Sequence, residues 1–207
     1  MEIVENSAVR LHVPTDYVDT ILKNVEKAEV IKPGELVSEI LVYWGIKEMQ
    51  FLARILDNDK IPSPITREYS WPGLYKPFKH QITTSSFLTL HRKAFCFNEA
   101  GTGKTSSVVW ASDYLMTEGV IRRVLVICPL SIMYSAWQAD IFKTAMHRTA
   151  AAAHGPAAKR KKIITGNYDF VIINYDGVGI VQKEIIEADS VVILGDELDL
   201  PQVSRWE

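Results

Sequence analysis

The sequence predicts an α/β fold, in which a small α/β accessory domain precedes a doubly wound parallel sheet. Three observations support this prediction. Short apolar runs alternate with helical patterns beyond residue 74, as in sheets that are buried on both faces. A glycine-rich loop lies between one apolar run and the helical pattern after it. Prolines cluster between residues 57 and 73 and divide the chain into two parts.

The first part, residues 1–56, has the pattern of a small α/β unit. Val9–Val13 alternates apolar and polar residues like a half-buried strand, and the apolar positions that follow recur at helical spacing. Leu41–Trp44 is predicted as a second strand and Ile46–Leu56 as a second helix. Because no group of residues here suggests chemistry, we predict an accessory or docking domain.

The linker covers residues 57–73. Pro62, Pro64 and Pro72 each bias the residue before them away from helix. The second predicted domain therefore covers residues 74–207.

Helices and strands alternate along this second domain. A helix over about residues 77–90 leads to a strand at Ala94–Phe97, and a helix from Lys104 to about Met116 follows the glycine loop. Further strands are predicted at Val124–Ile127, Phe170–Ile173 and Val191–Leu194, with helices from Ser131 to about Lys143 and near 178–188. Since ligands of such sheets bind at the carboxyl ends of the strands, the residues after each strand are the candidates for function.

The net charge of −2 conceals a strongly basic centre. Residues 71–168 contain 13 Lys or Arg and 4 Asp or Glu, whereas the segments on either side are acidic. This balance suggests a surface that faces a polyanion, although a solvated charged face gives the same composition. Part of the charge lies on four consecutive residues, Lys159, Arg160, Lys161 and Lys162.

Composition also limits the cellular setting. No apolar run approaches the roughly 20 residues that a membrane helix needs, so we expect no membrane partner. Cys96 and Cys128 lie far apart without a C-x-x-C pattern, which favours free thiols in the cytoplasm.

The loop Asn98–Thr105, NEAGTGKT, has the composition of a phosphate-binding loop. Gly101 and Gly103 allow backbone N–H groups to turn towards phosphates, and the next helix directs its positive end at the same anion. Lys104, the first catalytic candidate, is expected to reach the β- and γ-phosphates, while the Thr105 hydroxyl is expected to bind Mg²⁺. The candidate nucleotide ligands in the loop are Gly101, Thr102, Gly103, Lys104 and Thr105.

An acidic pair follows the last apolar strand. Asp196 is expected to hold Mg²⁺, directly or through water, and Glu197 to orient or deprotonate an attacking water. A polar turn that closes a strand has a similar composition. The position of the pair about ninety residues after the glycine loop favours the functional interpretation.

Other positions narrow the class of nucleotide protein. Gln81 lies 23 residues before Lys104, and a glutamine amide can pair with both the donor and the acceptor edge of adenine. Pro129 follows the Val124–Ile127 strand, and Asn174-Tyr175 ends the next one.

These segments together resemble the first RecA-like lobe of superfamily-two helicases and translocases, and within it the Swi/Snf-like group. LYKPFKHQ resembles the glutamine motif of that group, NEAGTGKT resembles motif I, VLVICPLSIMYSAW resembles motif Ia, and VVILGDE resembles motif II. The resemblance implies a phosphate-loop lobe that binds ATP and Mg²⁺.

The resemblance also implies ATP-dependent movement on nucleic acid, usually double-stranded DNA. In that group the motif Ia region and residues 174–176 lie against the phosphate backbone, which implicates Pro129, Asn174 and Tyr175 in DNA binding. The basic cluster agrees with sequence-tolerant backbone contacts of this kind.

The pattern departs from the family after motif II. Asp199 replaces the usual histidine, and Glu207 ends the sequence ten residues after Glu197. A second lobe, which in this family supplies arginines to the transferring phosphate, is therefore expected in cis or in trans, and we expect little hydrolysis from this chain alone.

Two alternatives remain open at this point. The chain could be a non-catalytic nucleotide- or DNA-binding regulatory module. A phosphate-loop kinase is a weaker alternative, because it leaves Gln81, the Pro129–Trp137 segment and Asn174-Tyr175 unexplained.

Overall fold

The computed structural model describes residues 1–56, 60–188 and 190–194. The chain divides into two compact units. The first contains residues 1–70 and 78–102, and the second contains residues 71–77 and the described part of 103–207. Each unit is therefore built from two separate stretches of sequence.

The first unit contains a four-stranded antiparallel sheet with the strand order β1-β2-β4-β3. Its strands are β1 (Glu2–Val4), β2 (Ala8–Pro14), β3 (Ala28–Lys32) and β4 (Val37–Tyr43). Its helices are α1 (Val18–Asn24), α2 (Ile46–Leu56), α3 (Ile65–Glu68) and α4 (Lys79–Leu90). The predicted strands and helices of the first 56 residues are confirmed. The edge strands β1 and β3 were not predicted, because neither has a fully buried side chain and their alternation is weak.

Helix α4 packs within this first unit through polar contacts near its carboxyl end. The Gln50 side chain of α2 donates a hydrogen bond to the Thr89 carbonyl at 2.7 Å. The Ser63 and Thr89 hydroxyls are also hydrogen-bonded, with 2.7 Å between their oxygens. Ser63 and Thr89 are both buried, so these bonds satisfy polar groups that water does not reach.

The strand predicted at Ala94–Phe97 is wrong. The segment has no regular secondary structure, and the Phe95 and Phe97 side chains are 74% and 78% exposed. An apolar run becomes a strand only where a neighbouring strand satisfies its backbone groups, and no described strand pairs with this segment.

The second unit is a doubly wound parallel sheet with the strand order β6-β7-β5-β8. Its strands are β5 (Val124–Cys128), β6 (Ala150–Ala152), β7 (Phe170–Asn174) and β8 (Val191–Leu194). Its helices are α5 (Lys104–Thr117), a π-helical segment at Met133–Gln138, α6 (Ala139–Thr144), α7 (Ala157–Ile164), α8 (Tyr175–Val178) and α9 (Gln182–Glu187). The predicted fold class is confirmed, although β6 supplies the fourth strand. No helix in the described part of the chain combines the length and apolar content that a membrane span requires.

Both faces of this sheet are covered. Every residue of β5 and β7 is buried, and alternate residues point to opposite faces. Val126 and Ile172 pack with Trp137 on one face, while Leu125 and Ile173 belong to a separate cluster on the other. Two-sided burial explains why these strands are continuous apolar runs in the sequence.

Residues 71–77 are joined to the rest of the second unit by hydrogen bonds and a close backbone approach. The Leu74 N–H donates to the Lys143 carbonyl at 2.8 Å, and the Trp110 indole donates to the Pro72 carbonyl at 2.9 Å. Gly73 has a φ of +115°, and a Cβ there would lie 2.5 Å from the Lys143 carbonyl oxygen. Glycine is therefore required at this position for both reasons.

A buried polar network connects α5 to the loops that precede β6 and β7. The carboxylate of Asp113, which is 1% exposed as a residue, accepts hydrogen bonds from Arg148 Nε at 2.6 Å and His147 Nε2 at 2.9 Å. Arg148 also contacts Asp169 at 3.4 Å, and Asp169 accepts bonds from the Thr149 backbone and hydroxyl at 2.8 and 2.7 Å. Burial alone would raise the pKa of Asp169, but the bonds from Thr149 and Arg148 outweigh it and lower that pKa.

Candidate functional site

The carboxyl half of the glycine loop belongs to the second unit and leads directly into α5. Gly103 has a φ of +74° and precedes the first helical residue. Lys104 and Thr105 occupy the first turn of this 14-residue helix, both partly exposed, and no acidic residue lies in that turn. The positive end of α5 is therefore compatible with an anion, and the predicted phosphate-loop residues occupy it.

The amino-terminal half of the loop belongs to the first unit. Gly101 has a φ of +76°, and a Cβ at this position would meet no atom within 4 Å. Gly101 is therefore needed for its backbone conformation, which L side chains rarely adopt. The Thr102 hydroxyl donates to the Glu99 carbonyl at 2.8 Å, and the Asn98 amide donates to the Thr84 hydroxyl at 2.9 Å. The first bond lies within the loop, and the second holds the loop against α4 of the same unit.

Gln81 is buried beside this half of the loop. Its amide nitrogen donates to the Thr102 carbonyl at 3.2 Å, and its amide oxygen accepts a bond from the Phe78 backbone at 2.9 Å. His80 Nε2 also lies 3.0 Å from the Thr102 carbonyl oxygen. The structure thus gives Gln81 a role in fixing the loop, and its pairing with adenine stays a prediction. His80 was not predicted as a site residue. The only sequence signal for it is its position next to Gln81.

An open cavity of about 430 Å³ lies along this side of the loop in the first unit. It is lined by His80, Thr83, Thr84, Asn98, Glu99 and Thr102. Its hydroxyl, amide, imidazole and carboxylate side chains come from α4 and from the loop itself.

The predicted acidic pair, Asp196 and Glu197, lies outside the described residues, as does Asp199. The strand before it is described: β8 pairs in parallel with β5, and Leu194 lies opposite Ile127. The chain therefore leaves β8 at the carboxyl edge of the sheet, where doubly wound folds bind their ligands.

The candidate nucleic-acid residues follow two neighbouring strands. Pro129 comes directly after β5, Asn174 ends β7, and Tyr175 begins α8. Cys128 and Asn174 are opposite each other in the parallel register, so both strands end at the same level. The sheet thus brings Pro129 and Asn174-Tyr175 to one edge.

The basic cluster divides into exposed and buried members. Lys159, Lys161 and Lys162 are exposed on α7, and Lys161 Nζ forms an ion pair with Glu184 at 2.7 Å. The hydrogen bond from Lys161 lowers the pKa of Glu184. Lys159 and Lys162 are therefore the members best placed to meet a polyanion.

Arg160 is not on this surface, which corrects its predicted contact with DNA phosphates. The residue is 7% exposed, and its guanidinium donates to the Gly155 carbonyl, the Ala153 carbonyl and the Asn174 side-chain oxygen, each at 2.8 Å. Helical geometry directs one residue of a consecutive run inwards, and composition does not identify which one.

Comparison with known proteins finds a matching family model and a set of similar solved structures. Residues 74–198 match the family model described as "Type III restriction enzyme, res subunit". The structure of the Sulfolobus solfataricus SWI2/SNF2 ATPase core in complex with dsDNA is similar with a TM-score of 0.47 and 21% sequence identity, over 61% of this chain. The match covers 33% of that protein's chain, so the present sequence spans about a third of it. No curated protein matches the sequence.

Proposed function

The chain belongs to the family of the type III restriction enzyme res subunit, and from that premise we propose that it is the ATP-binding part of an ATP-dependent DNA helicase or translocase. Its family segment is a RecA-like lobe of the superfamily-two helicase type. One observation supports nucleotide binding most directly: Gly103 adopts a left-handed conformation immediately before a long helix that carries Lys104 and Thr105 in its first turn.

The loop residues fit ATP and Mg²⁺ in their chemistry. Gly101 and Gly103 both adopt left-handed backbone conformations, and the helix end favours negative charge. In this proposal Lys104 binds the β- and γ-phosphates, Thr105 and Asp196 hold Mg²⁺, and Glu197 orients water. Bound Mg²⁺ supplies neutralisation of phosphate charge.

Lys104→Ala is expected to weaken ATP binding about tenfold or more, because a charge-assisted hydrogen bond to phosphate is lost. Isothermal titration with ATP and Mg²⁺ measures the change, and circular dichroism checks that the fold is kept. Lys143→Ala is the matched control in the same unit, since Lys143 is half-exposed and its ammonium contacts only Asp140 at 3.5 Å among the ion pairs of the described residues. Equal affinity for wild type and Lys104→Ala would reject the loop as the nucleotide site.

We further propose that the basic segment binds double-stranded DNA, through contacts to the phosphate backbone. The central segment is strongly basic, and two of its exposed lysines, Lys159 and Lys162, lie on α7. The residues at the ends of β5 and β7 offer a proline ring and a phenol at one edge of the same sheet, whereas the Asn174 side chain is buried and bonded to Arg160. The corresponding activity is stimulation of ATP hydrolysis by a DNA duplex. Because little hydrolysis is expected from this chain alone, it is measured with the second lobe supplied in cis or in trans, and ATP binding without stimulation there would favour a non-catalytic module.

The double variant Lys159→Gln, Lys162→Gln is expected to weaken binding to duplex DNA and to flatten its salt dependence. Each lost phosphate contact reduces the slope of log K against log salt by about 0.9, so the pair removes up to about 1.8. Fluorescence anisotropy with a labelled duplex over a range of salt concentrations measures this slope. Lys183→Gln serves as control because its side chain is 83% exposed on α9, outside the cluster. An unchanged slope in the double variant would show that the cluster is only a solvated face.

A further inference from the structure

A second, polar cavity lies at the opposite edge of the parallel sheet from Pro129 and Asn174. Its volume is about 160 Å³, and its lining residues come from the segments that immediately precede β5, β6 and β7. These residues are Arg122, Arg123, Thr149, Asn167, Tyr168 and Asp169. The cavity is therefore formed by the amino ends of three neighbouring strands, and it is separate from the edge to which the proposed function is assigned.

Arg123 is a buried cation whose hydrogen-bonding capacity is not fully used. The residue is 5% exposed, and its Nη1 donates to the Gly166 carbonyl at 3.3 Å. Its Nε is buried and has no hydrogen-bond partner among the described residues. Burial, together with the nearby charge of Arg122, lowers the pKa of Arg123. A buried N–H donor without an acceptor and a buried cation without a counter-charge both cost free energy of folding. A bound anion would supply the acceptor and the opposite charge.

The one carboxylate in the lining does not supply that compensation. Asp169 accepts two hydrogen bonds from Thr149 and contacts Arg148, and among the described residues no hydrogen bond or ion pair joins it to Arg122 or Arg123. Two arginines therefore line one small cavity, Arg123 as a buried residue and Arg122 as an exposed one, and Asn167 and Tyr168 add further polar side chains.

We propose that this cavity is an anion site that takes a doubly charged tetrahedral oxyanion, the phosphate group being the natural ligand class. Two adjacent arginines balance a dianion, and the planar guanidinium groups match the paired oxygens of phosphate. The donors come from two loops, with Arg122 and Arg123 before β5 and Asn167 and Tyr168 before β7. The volume accommodates a small ion or a terminal phosphate group.

Thermal unfolding and isothermal titration with inorganic phosphate test the proposal. Both are measured at constant ionic strength with chloride as the reference salt and in the Lys104→Ala background, which weakens phosphate binding at the glycine loop. Phosphate and sulfate are expected to raise the melting temperature, and acetate is expected to have no effect.

Arg122→Gln is expected to weaken phosphate binding about tenfold or more. Arg123→Met is expected to remove the response without lowering the melting temperature of the free protein, because it deletes a buried charge.

Arg92→Gln is the matched control, since Arg92 is exposed and lies in the first unit. A phosphate response that survives both Arg122→Gln and Arg123→Met, or that is absent in the Lys104→Ala background, would overturn the proposal. If Arg123→Met does not fold, the response of Arg122→Gln decides alone. A negative result for ATP binding at the glycine loop would not change the result for phosphate binding at the cavity. The first experiment depends on Lys104, and the second depends on Arg122 and Arg123.

Discussion

Asp113→Ala is expected to lower the free energy of unfolding of the second unit by about 3 kcal/mol. Breaking a buried ion pair by removing one partner costs about 3–5 kcal/mol, because the remaining charge stays buried without compensation. The lower end of this range applies here, since Arg148 retains its contact with Asp169 and is 19% exposed. Urea denaturation followed by tryptophan fluorescence measures the loss, with Trp110 and Trp137 as reporters in this unit.

Asp140→Asn is the matched control for this measurement. Asp140 forms an ion pair with Lys143 at 3.5 Å, and both side chains are substantially exposed. Surface pairs of this kind contribute about 0–1 kcal/mol, so the control is expected to unfold close to wild type. If Asp113→Ala and Asp140→Asn had the same small effect, the network would have no structural role.

The same network predicts a loss of stability in acid. The folded-state pKa of Asp169 is lowered, so its contribution is present above the ordinary aspartate pKa of about 3.9 and is lost as pH falls through the lower folded value. Asp113→Ala removes the Asp113 part of the network at neutral pH but leaves this acid transition in place, because Thr149 still donates to Asp169.

The sheet could be predicted from the sequence because two-sided burial leaves a direct signal. Val124–Ile127 and Phe170–Ile173 are continuous apolar runs in strands whose residues are all buried. Val191–Leu194 is a similar run in the sequence and is also a strand. The Ala150–Ala152 strand was not predictable in this way, because alanine favours helix and its burial comes from neighbours distant in sequence. Ala94–Phe97 shows the reverse case, since its apolar pattern finds no described strand with which to pair.

The candidate site was predictable only where function depends on local sequence. The loop glycines and Lys104 could be identified because backbone conformation and helix start are local properties. The inward direction of Arg160 and the bond from Gln81 to Thr102 depend on tertiary packing, so composition and spacing could not reveal them. The same limit applies to the arginine cavity, whose residues come from three separate segments.

Arg160→Met is expected to destabilise the second unit by about 3 kcal/mol, although the residue belongs to a cluster that appears in the sequence as surface charge. Three charge-assisted hydrogen bonds are lost, and each is typically worth about 1.5–3 kcal/mol before non-additivity reduces the sum. The Asn174 side-chain oxygen is then left without the donor that it has in the wild type.

The effect of this substitution should extend to the end of β7. Arg160 bonds to Ala153 after β6 and to Asn174 at the end of β7, and a Cβ at Gly177 would clash with its Nη1. It therefore fixes the positions of two strand ends, one of which carries Asn174 and Tyr175. Under the proposed function, Arg160 acts as a positioning residue and not as a phosphate contact.

Three variants separate these roles. Arg160→Lys keeps the charge but cannot reproduce three bonds from one planar group, so it is expected to lose most of the same stability. Lys159→Met and Lys162→Met alter exposed neighbours on the same helix and are expected to unfold within about 0.5 kcal/mol of wild type. The salt slope of DNA binding gives the opposite ranking: the lysine variants flatten it, whereas Arg160→Met weakens affinity with little change in slope. Wild-type stability in Arg160→Met, combined with a flattened slope, would instead show that Arg160 contacts phosphate directly.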